Sequence, residues 1–350
     1  MRILCVQPGA SWSTNDVYVG IVKALARQHI EIIKYALDGR IQSWGGYLQW
    51  QWKHNKKQGP KPSETDAIYM AGVWLLEKAL RFQVDWVLIV SCMYLHPDVV
   101  LMLRRAGLKV AILFTESPYD DEWQKQIAPL ANICWVNDKV SVPPFRAINR
   151  QTYYWQHAYD QTRHYPQADK AADVPEHDVV FVGTGWEERV KLFEQVNWDG
   201  IDLGLYGSWE LLGPNHHLRQ YLRGGITPND LTAGLYRNAK IGINLHRSSI
   251  GYGKGTEKIA EAYSLGPRCY ELAACGTFYI TDSRPELADV FGETVPTFTS
   301  AAELETAIHY YLAHEDERRE RAEMLPGLVA RHTFDTRICD LLAILEREGE

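Results

Sequence analysis

At 350 residues the chain is longer than one ordinary hydrophobic core supports, so two domains are expected. Apolar residues at 46% and charged residues at 23% describe a soluble globular protein, and a formal charge of -7 excludes a surface that is basic throughout while allowing a local basic patch. No apolar run approaches membrane-spanning length, the first residues lack the basic region and apolar core of a signal peptide, and the six cysteines are scattered without a C-x-x-C pair, so buried thiols, a cytoplasmic location and no membrane partner are expected.

In chain order, residues 2–6 read as a buried strand and 7–15 as a loop rich in Gly, Pro and Ser. A helix beginning at Asp16 carries Val17, Ile21, Val22 and Leu25 on one face, and a second strand follows at 31–35. This is a βαβ unit, but its first loop has a single Gly9 and no G-x-G-x-x-G, which argues against a dinucleotide cofactor. Residues 39–63 break the rhythm and read as an inserted loop or hairpin. They hold Trp44, Tyr47, Trp50 and Trp52 beside Arg40, Lys53, Lys56, Lys57 and Lys61, with no acidic residue between Asp38 and Glu64. The segment is either a solvent-facing insertion or an acceptor-binding surface, because aromatic faces interleaved with positive charge suit sugars and equally suit unstacked bases beside phosphates.

The alternation resumes with a helix at 67–82, a strand at 86–90, a helix at 97–106 and strands at 110–114, 133–136 and 153–157. Strand ends in open α/β sheets point into the ligand crevice, which places Thr115 to Tyr119, Glu116 among them, in that crevice. His157, at the end of the last of these strands, is either structural or catalytic. Residues 161–177 turn polar and carry Pro166 and Pro175, the composition of a linker.

A strand at 178–182 restarts the βαβ rhythm. Gly183-Thr184-Gly185 then precedes a helix holding Arg189 and Lys191, and backbone N–H groups at a helix N-terminus suit an anion. A strand at 201–206 leads to Trp209, which is suited to cover a base. A helix from 227 to 236 is followed by a strand at 240–245 ending in His246-Arg247, and then by the glycine-containing segment 248–256, which is either a mobile loop over the cleft or an ordinary solvent loop. His216-His217 has no further spaced ligands, so no metal site is expected. Residues 268–275 form a helix stopped by Gly276, a short strand lies at 277–281, and Pro285 opens the next helix. Glu271 stands out as a charge within an otherwise small and apolar helix; it lies either on a solvated face or on a ligand. Helices at 302–313 and 315–323 precede a final helix with Ile338, Leu341, Leu342 and Leu345 aligned.

The stretch 266–292 resembles the donor-binding helix, turn and strand of GT-B glycosyltransferases, and within them the CgeB-like (spore-maturation-type) enzymes. Their pattern is "P-R-x-x-E-x-x-A-C-G" followed by "D-x-x-x-E-L-x-x-x-F", met here by Pro267, Arg268, Glu271, Ala274, Cys275, Gly276, Asp282, Glu286, Leu287 and Phe291. The "T-E-S-P-Y" at 115–119, "H-A-Y-D" at 157–160, "F-V-G-T" at 181–184 and "I-G-I-N-L-H-R" at 241–247 are similar to further stretches of that family. The resemblance implies an α/β GT-B fold with two Rossmann-like domains facing across a cleft and the last helix returning to the first. Residues 1–160 would hold the acceptor, with the insertion at 39–63. Residues 161–177 would link them, 178–331 would bind a nucleotide sugar, and 332–350 would form the returning helix.

It also implies roles. Gly183, Thr184, Arg189, Trp209, Asn244, Arg247, Arg268, Glu271 and Gly276 would bind the donor, with Glu271 on the ribose hydroxyls. A carboxylate can accept from two vicinal hydroxyls, and Arg268 can hold it ionised while meeting phosphate. Arg247, Arg268 and Arg189 would neutralise the departing diphosphate, since a D-x-D metal motif is absent from the sequence. The base of an inverting reaction would be Asp16, Glu116 or His157. Trp44, Trp50, Trp52, Lys53, Lys56 and Lys57 would meet the acceptor. One position departs from the related glycogen-synthase-like enzymes, which carry a second glutamate eight residues before the ribose-binding one; Tyr263 stands there, with Glu261 nearby. The expected activity is metal-independent sugar transfer without a cofactor, from a nucleotide sugar as co-substrate to a protein, glycan, nucleic-acid or small-molecule acceptor. A nucleotide-sugar epimerase and a non-catalytic sugar-nucleotide-binding protein are the alternatives.

Overall fold

The computed structural model describes residues 1–9, 12–167, 173–225, 227–248, 258–259 and 261–348. The chain divides into two compact units, Met1–Gln156 with Ile338–Glu350, and His157–Arg337.

The first unit runs β1 (Arg2–Val6), α1 (Trp12–Arg27), β2 (Glu31–Tyr35), α2 (Leu37–His54), α3 (Glu64–Arg81), β3 (Trp86–Val90), α4 (Pro97–Arg105), β4 (Lys109–Phe114), α5 (Asp121–Ile127), β5 (Ile133–Val136), α6 (Val142–Ile148) and β6 (Thr152–Tyr154). All pairings are parallel, in the order β2-β1-β3-β4-β5-β6. β3 and β5 are buried along their whole length, as strands of a parallel sheet covered on both faces must be.

The second unit runs β7 (His177–Val182), α7 (Glu187–Gln195), β8 (Leu203–Tyr206), β9 (Leu222–Gly224), α8 (Asn229–Asn238), β10 (Ala239–Asn244), α9 (Pro267–Ala274), β11 (Tyr279–Asp282), α10 (Pro285–Phe291), β12 (Thr297–Phe298), α11 (Ala301–Ala313) and α12 (Glu315–Val329). The helix α13 (Phe334–Arg347) follows, and from Ile338 onward it belongs to the first unit, where Arg347 reaches the Tyr153 hydroxyl at 2.7 Å. The second sheet is also all parallel, in the order β12-β11-β10-β7-β8-β9. Alternate residues feed two cores: Val179, Phe181, Ile241, Ile243 and Ile280 on one face, Val180, Tyr206 and Tyr279 on the other. Strand order reverses between β7 and β10, and in open α/β sheets such a reversal opens a crevice at the carboxyl ends of the two strands.

Two local expectations change. Residues 37–54, expected to be loop or hairpin from 39 onward, are helix α2. Leu37, Ile41, Trp44, Leu48 and Trp52 recur at helical spacing toward α3, a period masked in the sequence by Gly39, Gly45 and Gly46. The strand expected at 153–157 is shorter, so His157 lies three residues beyond it and opens the second unit. Of the segment 248–256, only Ser248 falls within the described residues.

Candidate active site

The crevice of the second unit begins where β7 ends. Gly183 donates its N–H to the Tyr206 carbonyl at 3.0 Å, and a Cβ placed on it would meet Arg268 Nη2 at 2.6 Å. The absence of a side chain at 183 is therefore what lets a guanidinium lie against this turn. Arg268, in the first turn of α9, is half-buried, stacks over the Phe181 ring at 5.1 Å and donates to Asn244 Oδ1 at 3.1 Å. Asn244 ends β10 and is buried, and its amide nitrogen donates to Thr281 Oγ1 at 2.8 Å. Both ends of the amide are engaged, so Asn244 acts by aiming Arg268.

One turn along α9, half-buried Glu271 shares the surroundings of Tyr236 with Arg268. Burial pushes the Tyr236 hydroxyl up strongly; the Arg268 charge and a hydrogen bond from it oppose the rise, and the Glu271 charge adds to it. Glu271 thus lies within electrostatic reach of Tyr236 and is half-buried, not on a fully solvated helix surface. The helix ends as its sequence predicts: Gly276 sits at φ 69°, its N–H bonds to the Ala273 carbonyl, and the Thr277 N–H bonds to the Leu272 carbonyl.

At the end of β10, His246 and Arg247 diverge. Arg247 is half-buried with its guanidinium 5.6 Å from the centre of the Trp186 ring. His246 is buried, and its Nδ1 and backbone N–H lie 2.8 and 2.9 Å from Asp282 Oδ1 at the end of β11. Burial raises the Asp282 carboxyl, but the charge and two hydrogen bonds of His246 outweigh it and hold the group below its ordinary value. His157 lies within electrostatic reach of His246 and Arg337. Burial first, then those two charges, push its imidazole down to about 4, so it is neutral at physiological pH. The His246–Asp282 pair and Tyr236 are not singled out by sequence reasoning. The signal that could have found the pair is that Asp282 ends β11 and His246 lies two residues beyond the end of β10, the adjacent parallel strand beside the reversal.

Two expected donor residues are put to other uses. Arg189 is 6% exposed and donates to the Thr184 and Leu245 carbonyls at 2.8 and 2.7 Å, with its guanidinium over Phe181. It ties the loop after β7 to the end of β10 and does not project into the crevice. Trp209 is 5% exposed, edge-on to Phe181 and Phe193, and lies beneath Gly185, where a Cβ would meet its ring at 2.3 Å. With its faces packed in the core it is not free to cover a base. Thr184 is half-buried beside Gly183. The Glu286 carboxylate, also part of the motif, is structural: it accepts from the Leu265 N–H at 2.7 Å and the Tyr270 hydroxyl at 3.2 Å, joining α10 to the approach of α9. Tyr263, which stands where the related enzymes carry a second acid, donates to Asp289.

In the first unit the order reverses between β1 and β3. Half-buried Asp16 lies in the opening turns of α1 after β1, and half-buried Glu116 lies just beyond β4. In the same unit α2 leaves Tyr47 and Trp50 exposed and keeps Trp44 and Trp52 half-buried, with exposed Lys53 in its last turn and exposed Lys56 and Lys57 in the turn that follows.

Residues 167–343 match the family described as "Glycosyl transferase-like". No curated protein sequence matches the chain. Among solved structures, a sucrose-phosphate synthase from Thermosynechococcus elongatus superposes with a TM-score of 0.66 at 15% identity, covering 99% of this chain and 98% of that one. An alpha-glucosyltransferase in complex with UDP and a 13-mer DNA containing a HMU base gives 0.63 at 11% identity, with 99% of each chain covered. A UDP-N-acetylglucosamine 2-epimerase described as putative, from Listeria monocytogenes, gives 0.61 at 10% identity over 99% and 95%. These likenesses show the GT-B fold.

Proposed function

The chain belongs to the glycosyl transferase-like family, and from that premise we propose that it moves a sugar from a nucleotide sugar, held at the β7/β10 crevice of its second unit, to an acceptor held by its first. The observation that carries this reading is the cluster of Arg268, Glu271 and Tyr236 beside the side-chain-free turn at Gly183. Glu271 accepts from two vicinal hydroxyls of the ribose, since an ionised carboxylate offers two acceptor oxygens and no donor. Arg268 and Arg247 meet the diphosphate, and the backbone at Gly183 and Thr184 approaches it closely.

The chemical step breaks the bond between the anomeric carbon and the diphosphate oxygen. Negative charge grows on that oxygen as the sugar becomes oxocarbenium-like, and fixed guanidinium groups aimed at it lower the barrier without reorganising. Arg268 is suited to this because Asn244 and the Phe181 ring restrict its position. On this reading the cations of the site replace a metal ion, and turnover survives a chelator. Where the transfer inverts the anomeric configuration, the proton of the acceptor is taken by Asp16, Glu116 or neutral His157. The similarity to the CgeB-like enzymes rests on the motif residues already described. A reducing cytoplasmic setting suits the cysteines, of which Cys5, Cys92, Cys134, Cys269 and Cys275 are buried.

The test is a panel of nucleotide sugars scored for thermal stabilisation and for diphosphate release, with and without candidate acceptors and with EDTA. Release that requires an acceptor supports transfer. A changed sugar without release assigns epimerisation, binding without turnover assigns a non-catalytic protein, and activity abolished by EDTA and restored by magnesium or manganese overturns the arginine assignment.

A further inference from the structure

Helix α2 is 18 residues long and carries three tryptophans and a tyrosine, yet Leu37 is its sole fully buried residue. One side, through Ile41, Trp44, Leu48 and Trp52, leans on α3. A second stripe of Gly39, Ser43, Tyr47, Trp50 and His54 faces outward at spacings of three and four residues. Along it the rings form a ladder: Tyr47 and Trp50 have centroids 6.2 Å apart, and Trp50 and His54 are stacked at 5.1 Å. Trp74 of α3 closes the far side, tilted against Trp44 at 6.2 Å. Between the two helices lies a groove of about 470 Å³ lined by Arg40, Ser43, Trp44, Tyr47 and Trp74, a volume within the range that small ligands fill.

The chemistry of this stripe narrows its occupant. Its outward residues include no Leu, Ile, Val or Phe, whereas a helix that inserts into a lipid interface needs a broad aliphatic face. Its aromatics keep polar tips, which suits planar rings with hydrogen-bonding edges. The charge is the second constraint. Residues 39–63 contain Arg40, Lys53, Lys56, Lys57 and Lys61 and no acid, in a chain of net charge -7. Arg40 stands at the groove, and the lysines cluster about 20 Å farther along the helix axis at 1.5 Å per residue. The acids of α3 are Glu64, Asp66 and Glu77, all exposed, with Asp66 bonded to Ser63 at the helix start, and Asp38 lies in the first turn of α2. A neutral glycan has no use for this row of cations. A duplex would offer the rings no unstacked face.

We propose that the groove between α2 and α3 docks single-stranded nucleic acid, with bases stacking on Tyr47, Trp50 and Trp74 and phosphates meeting Arg40, Lys53, Lys56 and Lys57. The proposal takes from the transferase reading only the purpose of the contact, delivery of a nucleic-acid acceptor; binding is tested apart from turnover. The experiment titrates a fluorescent oligo-dT strand, the same sequence as duplex, a neutral glucan oligosaccharide and phosphatidylserine vesicles, at two salt concentrations. It uses the wild type, a Tyr47→Ala/Trp50→Ala variant and a Lys53→Ala/Lys56→Ala/Lys57→Ala variant, with thermal unfolding to confirm folding. The single strand is expected to bind with a steep salt dependence. The aromatic variant should bind it roughly 5- to 100-fold more weakly, the range for removal of base stacking. The lysine variant should flatten the logarithmic salt slope by about 0.7 for each phosphate that is no longer neutralised. Salt-insensitive binding, equal binding by folded variants, or preference for duplex, glucan or vesicles would overturn the proposal. Oligonucleotide binding without sugar transfer would keep the groove assignment and count against the transferase reading alone.

Discussion

Glu271 is the residue on which the donor site is most easily tested, because its environment mixes a cation and a buried hydroxyl where an ordinary helix surface offers water. If it accepts from two ribose hydroxyls, Glu271→Ala removes two charge-assisted bonds worth about 1.5–3 kcal/mol each and should weaken nucleotide-sugar binding by roughly 100-fold or more with the fold intact. Isothermal titration measures this, and an unchanged dissociation constant returns Glu271 to the solvated face. Arg247→Ala and Arg268→Ala should instead lower kcat more than they raise KM, since the charge they stabilise develops in the transition state. Equal effects on both parameters would assign the arginines to ground-state binding. That Arg268 and Glu271 share one short helix is legible in the sequence, because their spacing is itself the motif. The burial of Arg189 and Trp209 is not, for a physical reason: residue type and strand-end position say that a side chain is near a crevice, not whether it turns outward. Here Gly185 leaves space that the Trp209 ring fills, and two backbone carbonyls capture Arg189.

At the level of elements, strands are read best where a continuous apolar run leaves no alternative, and β1, β3 and β5 fall on the residues expected of them, as does β2 although Glu31 and Lys34 flank its apolar pair. α2 is not legible, since three glycines lower its helix propensity and its outward aromatics blur the apolar period. The end of this helix is unusual. Lys56 and Lys57 occupy left-handed backbone at φ 54° and 61°, and the Lys57 N–H reaches back to the Trp52 carbonyl at 2.9 Å. A side chain in this region costs about 1–2 kcal/mol that glycine does not incur, less the extra freedom glycine has when unfolded. Lys57→Gly is therefore expected to stabilise the first unit by about 0.5–1 kcal/mol in urea unfolding. If the lysines serve an anionic strand, the same substitution should weaken oligonucleotide binding and shallow its salt dependence. A stabilised variant with undiminished binding would separate the strained turn from the docking surface.

On the scale of the whole molecule, the two sheets share one construction but reverse at different places, between β1 and β3 in the first unit and between β7 and β10 in the second. Alternating apolar runs announce two α/β units; strand order, and so the location of each crevice, depends on pairings that no local pattern records. Acid bears on the second unit through its histidines. His157, His164 and His332 all belong to the second unit, and each is held at about 4. Burial is the main cause for all three, assisted by His246 and Arg337 around His157, by Arg163 and Arg237 against the opposing Asp160 around His164, and by Arg337 around His332. The unfolded chain binds these protons near pH 6.5, and the folded chain resists them until about pH 4. Between those values the unfolded state carries more protons, so stability falls as pH is lowered through this window and is independent of these groups above it. Acid should therefore lower the unfolding temperature of the second unit between pH 6.5 and 4. Calorimetry across that range, with a nucleotide sugar identifying the second unit by the transition it shifts, measures the effect. His164→Phe should reduce the slope, because it removes one of the three sites that must otherwise be protonated on unfolding. A slope unchanged in that variant, or an acid-sensitive transition that the nucleotide sugar leaves in place, would mean that other groups set the acid limit of this protein.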